Sequence, residues 1–173
     1  MATTAAETTR SLFVTGLRNA HALENEALSI MNRQIERLEN YPELSARLKQ
    51  HKEETEIQQQ RVGQILEDLG EDNSTLKDTA LSVMGSMAAL GHSVAGDEIL
   101  KNSFADLAFE NFEIASYTSF ITMAQIGGFT AAVPLLEQNL EEEIAMSGWL
   151  EDNTPLITQR YVELEGLGET AKR

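Results

Sequence analysis

The sequence predicts an all-α protein: a four-helix bundle with a long crossover between its second and third helices and a short helix at the C-terminal end. Three observations carry this. Apolar residues recur at alternating steps of three and four through most of the 173 residues, the period of a helix with one buried face. Only three prolines and eleven glycines interrupt the chain, and Pro42, Pro134 and Pro155 fall at or near the starts of periodic segments, where a helix tolerates proline. A mass of 19.1 kDa suits one core, so residues 1–173 read as a single domain with its bundle core at about 11–150.

The first predicted helix, Ser11 to Glu39, places Leu17, His21, Glu24, Leu28, Met31, Ile35 and Leu38 on one face. At 1.5 Å per residue it is roughly 43 Å long, normal for a bundle and too long for a compact α/β unit. Asn40-Tyr41-Pro42 breaks it. The second, Glu43 to Leu69, turns Leu44, Leu48, His51, Glu54 or Thr55, Gln58, Val62, Ile65 and Leu69 inward, and Gly70 is its expected stop. The short break makes these two helices antiparallel neighbours.

Glu71 to Gly96 reads as the crossover, with Asn73-Ser74-Thr75 capping a short helix through Ala80 to Leu90 that Gly85, Gly91 and Gly96 keep loose. A third helix runs from near Asp97 to Ile126, with Leu100, Phe104, Leu107, Glu110, Ile114, Tyr117 and Ile121 on one face and Phe109, Phe112 and Phe120 beside it. It is expected to be the most buried of the four. Gly127-Gly128 ends it. The fourth, Phe129 to Leu150, faces inward through Leu136, Leu140, Glu143, Ser147 and Leu150. Thr154 then caps and Pro155 opens a separate short helix to about Glu165, and the tail from Gly166 is expected to fray, so that 154–173 forms an appendage. Two antiparallel hairpins joined by a crossover of about 25 residues have the connectivity of a ferritin-like bundle rather than of an up-down-up-down one.

Thirteen Lys+Arg against twenty-eight Asp+Glu give a net charge of −15, which repels nucleic acid and anionic membrane surfaces and attracts cations. The absence of cysteine excludes disulfides, thiolate metal sites and cysteine nucleophiles. No apolar run approaches the roughly 18 residues of a membrane span, and Met1 to Arg10 has no apolar leader, so a cytoplasmic location is expected.

The informative residues are acids on apolar faces: Glu24, Glu54, Glu110, Glu113 and Glu143, at least one from each helix. A buried carboxylate costs several kcal/mol unless it is protonated, paired or bound to metal, and Lys and Arg are scarce on these faces. Counted from the chain breaks, Glu24 lies fifteen residues before Glu39, Glu54 eleven after Glu43, Glu113 fourteen before Gly127 and Glu143 thirteen after Thr130. The acids therefore share a level. His21-x-x-Glu24, His51-x-x-Glu54 and Glu110-x-x-Glu113 each put two donors on one face, although the Glu-x-x-His of the usual di-iron bundle is absent. Hard oxygen donors in a bundle interior suit iron, manganese or another divalent metal.

The segments Leu17-Arg18-Asn19 through Glu24, His51-Lys52-Glu53-Glu54-Thr55-Glu56-Ile57-Gln58, Glu110-Asn111-Phe112-Glu113-Ile114-Ala115-Ser116-Tyr117 and Leu135-Leu136 through Glu141-Glu142-Glu143 resemble the YciE/YciF family of bacterial ferritin-like stress proteins. The resemblance implies a homodimer with a di-iron carboxylate centre and a ferroxidase or stress-protective role, using O2 or peroxide. Position by position it points to Glu24, Glu54, Glu110, Glu113 and Glu143 as metal residues, with His51 as a ligand or a partner of Glu54. Gln58 is a weak ligand or a supporting group on the same basis. Asn111 stands where the family tends to have His, and Ser147 where it tends to have Asp, and both changes weaken potential ligands.

Plainer readings accompany these. A lone Glu in so acidic a chain more often snorkels to solvent, and only five in register change that. His21 reads as a core-edge histidine, His92 as exposed, and Glu53, Glu56, Glu141 and Glu142 as a solvated face. Tyr117 either hydrogen-bonds a ligating carboxylate or simply packs. The leading expectation is a di-metal carboxylate protein oxidising Fe(II). The alternatives are an iron-handling protein without turnover, and a metal-free or degenerate-site helical interaction protein acting as a dimer.

Overall fold

The computed structural model describes residues 4–71 and 98–171. Four helices occupy most of them: α1 (Ala5–Ile35), α2 (Pro42–Asp68), α3 (Glu98–Gly127) and α4 (Val133–Leu167). No strand occurs among the described residues, so the protein is all-α as the periodicity predicts. The expected crossover helix at Ala80–Leu90, its glycines and His92 lie outside the described residues.

α1 begins at Ala5 rather than Ser11 because Thr4 and Glu7 close a capping box: the Glu7 N–H donates to Thr4 Oγ1 at 3.3 Å and the Thr4 N–H to Glu7 Oε2 at 2.7 Å. Phe13 and Val14, just after the added residues, lie in the core. Gly70, Gly128 and Gly168 close α2, α3 and α4 in one way. Each has a φ near +70°, open to glycine without strain, and the next N–H reaches back to an orphan carbonyl: Glu71 to Leu66, Phe129 to Ala124 and Glu169 to Leu164.

α4 corrects the expected short C-terminal helix, because it runs unbroken through Pro155. Proline removes one N–H, but Glu151, Asp152 and Pro155 are exposed, so the carbonyl left without its donor lies on the side open to water. The Thr154 hydroxyl, expected to cap a new helix, instead donates back to the Leu150 carbonyl at 2.7 Å. The extension is not frayed either. Ile157 and Leu164 are buried against Leu38, Tyr41 and Leu44, the Tyr41 hydroxyl donates to the Ala171 carbonyl, and Asn40 Nδ2 donates to the Thr170 carbonyl at 2.9 Å.

The core falls into two apolar clusters. Phe13, Leu17, Val62, Leu66, Tyr117, Phe120 and Leu136 form one. Leu23, Met31, Leu44, Leu48, Ile99, Phe109, Met146 and Leu150 form the other. The N-terminal part of α1 thus meets the C-terminal parts of α2 and α3, so α1 is antiparallel to both while α2 and α3 run parallel. α2 ends and α3 begins at opposite ends of the bundle. This is the ferritin-like connectivity, with α1 packed on α2 and α3, and α4 on α3 and α2.

One expected face is shifted. α3 is not the most buried helix: Phe104, Phe112 and Ile126 are exposed, and its inner line is Ile99, Ser103, Glu110, Glu113, Tyr117, Phe120 and Ala124. The run of aromatics hid this, because α3 is apolar nearly all round and its pattern does not single out one side. On α1, Gly16 lies where an added Cβ would sit 2.5 Å from the Phe120 ring, so α1 and α3 approach closely at the end of the bundle beyond Tyr117.

Candidate metal centre

Between the two apolar clusters lies a layer in which every helix turns a polar side chain inward. Glu24 from α1, His51 and Gln58 from α2, Glu110 and Glu113 from α3, and Asn139 and Glu143 from α4 are all at most 4% exposed. The donor atoms converge in two groups, His51–Glu110–Glu143 and Glu24–Glu113–Glu143, within each of which they lie no more than 4.8 Å apart. Glu143 belongs to both. His51 Nε2 lies 3.2 Å from Glu110 Oε2 and 3.6 Å from Glu143 Oε2, while Nδ1 faces the other way, 3.1 Å from Glu54 Oε2.

The layer is short of hydrogen. Among the described residues, no amide, hydroxyl or guanidinium group bonds Glu24 Oε2 or either oxygen of Glu143. Buried polar atoms are almost always satisfied, so unpaired oxygens facing a common point are what a cation would complete. The donor set, one imidazole and four carboxylates, is able to hold a metal ion and fits divalent first-row ions.

Electrostatics agree with that reading. Burial pushes Glu24 from the ordinary 4.5 up to about 8, against the hydrogen bond from Tyr117 and the attraction of His51. Burial, and then the neighbouring carboxylates, raise Glu113 and Glu143 well above the usual range. Burial alone would lower His51, yet the charge of Glu110 and hydrogen bonds to Glu110 and Glu54 raise it from 6.5 to about 9. Burial opposes ionisation of Glu110 too, but the His51 charge holds it below the carboxylate norm.

A pH dependence opposite to ordinary acid denaturation follows for the metal-free protein. Glu24 keeps a proton in the folded state that it loses in the unfolded state between 4.5 and about 8, so stability falls as pH rises through that window. His51 adds a second loss, since its contribution is complete below 6.5 and disappears as pH rises through about 9. Glu54, held down to about 2 by its hydrogen bond to His51 with help from Gln50 and Arg47, stabilises above 4.5 and loses this only in strong acid. Thermal melts of metal-stripped protein should therefore show Tm dropping between about pH 5 and about pH 8.5. A flat or rising Tm over that range contradicts the assignment.

Several expected residues take supporting places. Glu54 stands outside both donor groups, partly open to solvent, where it accepts from His51 Nδ1, from Arg47 at 3.0 Å and from Gln50 at 2.7 Å. It fixes which imidazole nitrogen faces the centre, the role of a carboxylate behind a metal-binding histidine. Glu54→Gln is expected to weaken metal binding by about 10–100-fold without abolishing it, a loss that calorimetric titration would read directly. The Tyr117 hydroxyl donates to Glu24 Oε1 and accepts from Asn139 Nδ2 at 3.1 Å. Gln58 Nε2 donates to Glu142 Oε2 at 3.0 Å, leaving its own Oε1 unpaired. His21 is half-buried, with Asn25 as its neighbour at 3.4 Å, and stays outside the layer.

Glu142 corrects the expected solvated face: it is half-buried and takes two bonds from Arg61, at 2.7 and 3.0 Å. Arg61 also donates to Asn139 Oδ1 at 3.0 Å, so a polar chain runs Glu24–Tyr117–Asn139–Arg61–Glu142. Asn139, Arg61, Arg47 and Asp106 had no place in the sequence expectation. A signal existed for two of them, because Asp106 and Asn139 each sit one turn before a site acid, Glu110 and Glu143. Asp106, raised to about 7 by burial against a hydrogen bond from Gln34, extends the acidic line along α3. Asn111 Nδ2 donates to Ser147 Oγ at 3.2 Å, so the two positions that depart from the expected ligand pattern bond each other across α3 and α4.

Residues 8–163 match the family described as "Domain of unknown function (DUF892)". The chain belongs to this family. Relatives of this DUF892 chain include Protein YciF of Escherichia coli (strain K12), 28% identical over 146 residues that cover 80% of this chain and 86% of YciF. The crystal structure of a protein from Xanthomonas campestris superposes with a TM-score of 0.77 at 33% identity, covering 92% of this chain and 99% of that one. The crystal structure of the E. coli stress protein YciF gives 0.71 at 25% identity, covering 84% and 94%. The resemblance carried by the Glu110–Tyr117 and His51–Gln58 segments thus extends over the DUF892 domain. No helix among the described residues is long and apolar enough to cross a membrane.

Proposed function

We propose that this protein takes up two iron ions into the mid-bundle layer and oxidises Fe(II), with O2 or peroxide as the electron acceptor, in protection against stress. The observation that carries the reading is Glu143, fully buried, a member of both donor groups, and with no amide, hydroxyl or guanidinium partner for either oxygen among the described residues. Transfer of one electron from each ferrous ion to the oxidant is the chemistry the bound pair would supply. His51 and Glu110 would hold one ion, Glu24 and Glu113 the other, and Glu143 would join them. Glu54 accepts the His51 Nδ1 proton and so directs Nε2 toward Glu110 and Glu143, where it would exchange its proton for the ion. Tyr117 occupies one oxygen of Glu24 and so leaves Oε2 as the free donor. The apolar clusters on either side restrict water, which strengthens carboxylate attraction for cations of rising charge. The name "stress protein" belongs to YciF, and its extension to this chain rests on family membership. A homodimer is part of the proposal, supported by the exposed apolar side chains Phe104, Phe112 and Ile126 along α3.

The Asn111–Ser147 bond favours a second reading, a site that holds metal without turnover, because each side chain satisfies the other rather than an ion. Metal-stripped protein mixed with Fe(II) in air separates the two. The proposal expects about two ions bound per chain and ferric absorbance rising faster than in buffer. Binding without accelerated oxidation leaves the second reading, and no binding by folded protein removes both.

A further inference from the structure

The two donor groups are not equivalent. His51–Glu110–Glu143 offers an imidazole nitrogen and stands beside Arg47, whose side chain is 9% exposed and 3.0 Å from Glu54. Glu24–Glu113–Glu143 offers oxygen alone, with Tyr117 already bonded to one oxygen of Glu24 and, among the described residues, no Lys or Arg ion pair to any of its three carboxylates. Ions respond differently to such sets. Imidazole suits borderline ions such as Co2+ and Zn2+, whereas carboxylate oxygen alone suits harder ions such as Mn2+.

We propose that the centre discriminates between its two positions, the His51 group taking a borderline divalent ion and the all-carboxylate group a harder one, so that it holds two different metals when both kinds are offered. The inference rests on the di-metal reading above and deepens it. It uses donor identity and the unpaired oxygens of Glu24 and Glu143. Because Glu143 is common to both groups, an ion at one position draws on its charge and a second divalent ion of either kind binds more weakly at the other, so the discrimination comes from donor identity alone.

Metal-stripped protein is titrated with Co2+, read by its visible ligand-field bands, and with Mn2+, read by the loss of its free-ion EPR signal. The two are then offered together, Co2+ at about two equivalents and Mn2+ in large excess to offset the generally tighter binding of Co2+, and the product is counted by elemental analysis. The expected result is one Co2+ and one Mn2+ per chain from the mixture. His51→Gln should weaken the first Co2+ by about 100-fold and leave Mn2+ within a few-fold. Glu24→Gln should do the reverse. Circular dichroism verifies that each variant is folded, and the two variants act as mutual controls.

Two Co2+ ions filling both positions from the mixture, or His51→Gln weakening both metals alike, overturns the discrimination while leaving a di-metal site. Failure of folded wild-type protein to bind either ion overturns the di-metal reading itself. The two failures are therefore distinct.

Discussion

Glu143→Gln is expected to abolish tight binding at both metal positions at once, a loss no other single substitution in the layer should produce. Glu143 is the residue common to the two donor groups, so neither retains three ligands without it. The same substitution should make the metal-free protein more stable, by about 1–4 kcal/mol, since a carboxylate is removed from among Glu24, Glu110 and Glu113 without emptying its space. That gain should be largest at alkaline pH, where the wild-type carboxyl is forced towards ionisation, and should shrink in acid, where it is protonated in any case. Metal content by elemental analysis and denaturant melts at two pH values measure both halves. Retention of one tightly held ion would show that the groups do not share this carboxylate.

Leu164→Ala should destabilise the protein by about 2–5 kcal/mol, the cost of a cavity in a well-packed core. For a chain of this size that is a fall in Tm of roughly 5–15 °C. Leu164 is fully buried with Ile157, Leu38, Tyr41 and Leu44, although it lies beyond Pro155 in a stretch whose sequence reads as an appendage. Leu167, three residues on and 70% exposed, supplies the control, and its replacement by Ala should shift stability by no more than about 0.5 kcal/mol. Equal effects from the two would mean that the C-terminal turns of α4 are not part of the cooperative unit.

The contrast between these residues shows what could be read in the sequence. The four long periodicities, the stops at Gly70 and Gly128 and the common level of the acids follow from helix geometry, and all are local or nearly so. Pro155 misled because the carbonyl it leaves without a donor lies on the side open to water, which lowers the cost of carrying a helix through proline, and exposure is a tertiary property. Phe104 and Phe112 misled because a helix apolar on most sides does not announce which side faces in. The polar support of the centre was less legible than its acids: Arg61 pairs with Glu142 across 81 positions of chain, and nothing local to either residue requires it. The two roles of His51 left open by its spacing, donor to a metal or partner of Glu54, are compatible with each other, because Nδ1 faces Glu54 while Nε2 faces Glu110 and Glu143.

The sandwich of acid layer between two apolar clusters also bears on how the helices are aligned. Leucine layers are forgiving: a helix moved by one turn, about 5.4 Å, brings one leucine near the place of another at modest cost. The same slip would carry Glu24 or Glu143 into an aliphatic layer and strand its former neighbours, at several kcal/mol for each displaced charge. The acids therefore act as a vernier, permitting a single sliding position for four long helices whose apolar seams would accept several. A bundle with the layer replaced by leucine would remain helical and melt at a higher temperature, yet its helices would lose the mark that tells them where to stop.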